Sequence, residues 1–123
     1  MKTLLGLTVA TIIAATAAFA HEGEKEKLAS DETKKITGEV LDLACYVDHG
    51  AVGNDHTGCA KKCIEGGLPV GLKADDGKTY LLIGEHVPLN KELAAHAGKK
   101  ITVEGKVASR DGINLLENAV VQK

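Results

Sequence analysis

Two stretches of this chain alternate apolar with polar residues yet carry a glycine where the alternation asks for a packed side chain. They are Ile36-Thr-Gly38-Glu-Val40-Leu-Asp-Leu43-Ala-Cys45, which alternates in part, and Lys99-Lys-Ile101-Thr-Val103-Glu-Gly105-Lys-Val107, which alternates throughout. A period of two is the pattern of a strand with one face toward a core. Glycine inside such a strand marks a bulge or a sharp bend, because it lacks the Cβ that would obstruct either. Two strands that bend at Gly38 and Gly105 suit a small, tightly curled sheet.

The remaining elements follow from similar signals. Leu68 to Ala74 and Thr79 to Ile83 flank Asp75-Asp-Gly77-Lys, where Asp-Gly is a strong hairpin signal. Pro88 to Gly98 reads as a short helix with Asn90 as its cap and Gly98 at its exit. A turn at Arg110-Asp-Gly112 leads into a fifth strand, Ile113 to Val121. Between the first two strands a further short helix is expected, capped by Asp55 or Thr57, with Cys59, Ala60, Cys63 and Ile64 inward and Gly66-Gly67 as the stop.

Five strands with a short helix between the third and fourth resemble the OB-fold in their order, over about residues 35–123. The run from Leu93 through Gly98 to Val107 is similar to the helix-to-strand-four passage of that fold. The expected class is therefore all-β with short helices: a five-stranded OB-like barrel with a Cys/His-containing helical insertion between strands 1 and 2. Another small barrel, or an open α+β sheet, has the same elements.

Residues 1–20 carry a positive start at Lys2, an apolar run from Leu4 to Ala17, and Ala18-Phe19-Ala20 before a charged stretch. This is the pattern of a cleaved secretory signal peptide, which predicts a periplasmic or secreted product with no membrane attachment after cleavage. Residues 21–34 read as a disordered charged leader and 35–123 as the folded domain. Lys2 is the only charged residue in the signal, so 14 basic groups face 17 acidic ones in the remainder. With that balance, and with Phe19, Tyr46 and Tyr80 as the only aromatics, nothing favours nucleic acid, which is bound through basic surface and stacking rings.

The chemistry concentrates in Cys45-Tyr-Val-Asp-His49-Gly-Ala-Val-Gly-Asn-Asp-His56-Thr-Gly-Cys59-Ala-Lys-Lys-Cys63. Three cysteines cannot all pair within one monomer, so at least one is free, metal-bound or joined to a partner. The cluster resembles that of small exported bacterial proteins with Cys-Tyr, His-x-x-Cys-Ala-x-x-x-Cys and Gly-Leu-Pro-x-Gly, here Cys45-Tyr46, His56 to Cys63 and Gly67 to Gly71. That resemblance implies a shared site and carries over no activity.

Cys59 and Cys63 lie four apart, on one face of a helix, with Cβ atoms roughly 5 to 6 Å apart. That spacing suits two ligands of one metal better than a disulfide, which needs about 3.5 to 4.5 Å. In one straight helix His56 would lie about 10 Å along the axis from Cys63, but from a loop it could fold back. The candidate ligands are Cys45, Cys59, Cys63 and either His56, which is favoured, or His49. Such a Cys3His set suits zinc or, with fewer ligands, Cu(I).

Two other readings compete. A disulfide from Cys45 to Cys59 or Cys63 would staple the loop of a non-catalytic module for a periplasmic protein partner. A thiol redox protein would use Cys59, its pKa lowered by the first helical turn and by Lys61 and Lys62. An amino-terminal His21 exposed by cleavage, and His86 and His96, are weaker ligand candidates, and Tyr46 is expected to wall the site. No hydrolase motif is legible, so a metal-binding module for delivery or sensing is the expectation, with enzymatic activity disfavoured.

Overall fold

The computed structural model describes residues 32–123. The expected signal peptide, His21 and nearly all of the expected leader lie outside them. Five strands, β1 (Thr33–Asp42), β2 (Val70–Ala74), β3 (Thr79–Leu82), β4 (Lys100–Arg110) and β5 (Ile113–Val121), close into a barrel in the order β1-β2-β3-β5-β4. All neighbours run antiparallel except β3 and β5, which are parallel. This is the OB-like barrel expected from the sequence, with its insertion between β1 and β2. The first strand begins at Thr33, two residues before the expected start of the domain.

The glycines do what their positions implied. At Gly38 and Glu39, β1 pairs with both β2 and β4, so the strand passes from one neighbour to the other there. A Cβ on Gly38 would stand 2.4 Å from the Lys73 carbonyl oxygen, so only glycine admits β2 this closely. Gly105 sits in the register break of β4 against β5, between Glu104 and Lys106. The closed sheet encloses Val40, Leu72, Leu82, Val103 and Leu116, all essentially without exposure.

Both hairpin turns carry their expected residues. Asp111 and Gly112 have φ of 49° and 82°, the double left-handed signature of a tight two-residue turn. At the other, Gly77 takes φ 86°, and Asp76 accepts from Lys78 N at 2.8 Å and from the Tyr80 hydroxyl at 2.7 Å.

The helical segments depart from expectation at their starts. β1 stops at Asp42, and Leu43 to His49 form helix α1, so Cys45 lies in a helix and not at the end of the strand. The reason is Asp42, whose Oδ1 accepts from Ala44 N at 3.0 Å and caps the new helix. Neither Asp55 nor Thr57 caps the next helix through its side chain: a 3-10 turn, Asn54–His56, leads straight into α2 (Thr57–Glu65). α3 (Asn90–Leu93) runs on into a second 3-10 turn, Ala94–His96. Asn90 does not cap α3; its amide donates to Ile64 O at 2.8 Å and Leu68 O at 2.6 Å, satisfying carbonyls at and beyond the end of α2. Among the described residues no helix is long and apolar enough to cross a membrane.

Candidate metal site

Two short helices bring the cysteines together. Cys45 is the third residue of α1 and Cys59 the third of α2, with Cys63 one turn further on. α2 is anchored on its other side by Ala60 and Ile64, which are 4% and 0% exposed and join the barrel core. Of the four residues expected to face inward, those two do so; Cys63 is half-buried and Cys59 is exposed. Gly67, at φ 97°, ends the helix with Gly67 N donating to Ile64 O at 3.0 Å and Leu68 N to Cys63 O at 3.1 Å. This left-handed stop ties down the turn that carries Cys63.

The three Sγ atoms lie within 4.8 Å of one another, and none of the three cysteines is in a disulfide. Thiolates on one tetrahedral ion at Zn–S distances near 2.3 Å are about 3.8 Å apart, so closing on an ion requires at most about 1 Å of side-chain movement. No imidazole or carboxylate among the described residues joins this group. His49 is exposed at the end of α1 and places Nε2 3.0 Å from Asp48 Oδ2. His56 does lie just ahead of α2, as needed for it to fold back, but its Nε2 is buried without a hydrogen-bond partner.

Asp42 is the residue that sequence reasoning missed. It is the one buried charged side chain among the described residues, 2% exposed, and it borders the cluster. Contact with the Asp42 carboxylate, reinforced by burial, pushes the Cys45 thiol up to about 12. Burial raises Cys63 as well, with Asp42 and Cys59 adding to it. Yet Asp42 Oδ2 receives no hydrogen bond of ordinary geometry: the thiols are near enough to feel its charge without saturating it. The available signal was Asp42 three residues before Cys45, a residue type that favours the N-cap position of a helix.

These shifts bear on the competing readings. A redox thiol needs a lowered pKa; Cys45 and Cys63 are moved the other way, which disfavours them in that role, whereas the redox reading named Cys59. Lys61, expected to activate Cys59, reaches Glu65 at 3.8 Å along the exposed face of α2. Tyr46 is half-buried on α1, His86 is exposed, and His96 ends the 3-10 turn after α3.

Fold and site together define a small OB-like barrel whose β1–β2 insertion presents three converging cysteines, close enough to hold a metal ion. Comparison of the chain with protein-family models, with curated proteins and with solved structures gives no match.

Proposed function

We propose that this protein is an exported metal-binding module that takes one soft transition metal ion, zinc or Cu(I), on Cys45, Cys59 and Cys63. The convergence of the three sulfurs within 4.8 Å carries the reading. Sulfur donors select soft or borderline ions over magnesium or calcium. Cys59 is exposed, so a bound ion would sit at the surface, where a further donor from water or from a partner protein can reach it. That placement favours delivery or sensing over a closed structural site. Export is supported by the residue 1–20 pattern and by the apolar-to-charged change at Ala20-His21.

The test is metal content and thiol accessibility on protein purified without oxygen. About one ion per chain is expected, with all three thiols shielded from alkylation and exposed again on chelation. Replacing any one cysteine with serine should remove most of the metal. An isolated protein with no metal uptake and an intramolecular disulfide would reject the proposal in favour of a stapled binding module.

A further inference from the structure

Among the described residues, two buried side-chain polar atoms lack hydrogen-bond partners, and they belong to residues lining the same small recess. Asp42 Oδ2 and His56 Nε2 are both shielded from solvent, and both residues line a partly open recess with room for about 10 Å³, bordered also by Glu39, Ala60 and Gly98. A buried donor or acceptor left unsatisfied is costly, so two of them on residues lining one space call for a common partner. A cavity of about this volume holds one water molecule when it offers two or more polar contacts. It is too small for a hydrated ion or an organic ligand.

The walls are fixed. Glu39 Oε1 accepts from Gly53 N, and His56 N donates to Gly53 O at 3.1 Å, so the 3-10 turn carrying the imidazole is pinned to β1. On the far side Gly98 packs on Thr57; a Cβ there would stand 2.3 Å from Thr57 Oγ1. The Asp42 side chain lines this recess and also caps α1, the helix that carries Cys45, through Ala44 N.

We propose that Asp42 and His56 hold one buried water between them, and that His56 acts through it as a positioning residue for the cysteine cluster and not as a ligand. The water steadies the carboxylate, and the carboxylate caps the helix that carries Cys45. Partners of metal ligands commonly change affinity 10- to 100-fold when removed. The positioning role rests on the metal-binding reading above; the water does not.

Two measurements decide it. A high-resolution crystal structure of the metal-free protein should show a water within hydrogen-bond distance of Asp42 Oδ2 and His56 Nε2; an empty cavity or a direct contact between the two side chains overturns the water. Zinc titration against a competing chelator should show His56→Ala binding one ion about tenfold more weakly. His56→Gln, which retains a hydrogen-bonding nitrogen near the Nε2 position but is a poor zinc ligand, should bind as the parent does. X-ray absorption of the zinc-loaded parent should show sulfur without imidazole nitrogen. An imidazole signal, or His56→Ala binding as tightly as the parent, overturns the positioning role. Failure of the parent to take up zinc defeats the metal reading, and the crystal structure then judges the water alone.

Discussion

At the scale of single residues, one carboxylate can tie a backbone amide and a side-chain hydroxyl together, an oxygen to each. Asp76 spends its carboxylate on Lys78 N and the Tyr80 hydroxyl, and both groups respond: Asp76 is held below the usual carboxylate range, first by the Lys78 amide and then by Tyr80. Tyr80 is pushed up to about 12, first by burial and then by Asp76. The signs follow from linkage. A lowered acid stabilises the fold above its unfolded pKa near 4 and loses that contribution as pH falls through its folded value; a raised phenol stabilises below about 10 and loses it as pH climbs toward 12. Tyr80→Phe should therefore cost about 1 kcal/mol at neutral pH and weaken the fall in stability at both extremes, read from denaturant midpoints across the pH range. A profile unchanged in shape would show that this bond does not couple to folding.

At the scale of elements, glycine substitutions separate conformational cost from steric cost. Gly67 ends α2 at φ 97° with nothing near its missing Cβ, so Gly67→Ala should cost about 1 kcal/mol through backbone strain alone. Gly38 has the opposite problem: its Cβ would meet the backbone of β2, and strands cannot yield as a flexible side chain can. Gly38→Ala should cost at least about 2 kcal/mol, with the difference visible in chemical denaturation of the two variants. Equal costs would mean that β1 and β2 separate more readily than their register implies. Ile64 tests the link between core and site. It is fully buried on the helix that carries Cys59 and Cys63, so Ile64→Ala should cost roughly 2 to 5 kcal/mol. Metal affinity should fall with it, because α2 loses the anchor that sets its position.

At the scale of the whole molecule, barrel and site are separable. Cys45, Cys59 and Cys63 are absent from the buried core, which is built from the strands together with Ala60, Ile64 and residues around α3. A triple cysteine-to-serine variant should stay β-rich by circular dichroism and melt close to the metal-free parent. The metal-loaded parent should melt higher, since an ion at a hundred times its dissociation constant adds about 2.7 kcal/mol. Loss of all structure in the triple variant would instead make the metal a folding nucleus.

Much of this barrel was legible in the sequence because its causes are local. Alternation marked the strands, Asp-Gly pairs marked both turns, and Gly38 and Gly105 marked the bends, each through a constraint acting over a few neighbours. The clustering of cysteines was legible too, since Cys59 and Cys63 share one helical face whatever surrounds them. What the sequence could not decide was competition between distant groups. Only the closed sheet shows that Asp42 ends β1 and starts α1, carrying Cys45 away from the strand and toward Cys63. Only packing buries His56 Nε2, and sends Asn90 to the end of α2 instead of its own helix. Side chains choose among partners by what the tertiary fold brings within about 3 Å, and that choice has no local signature.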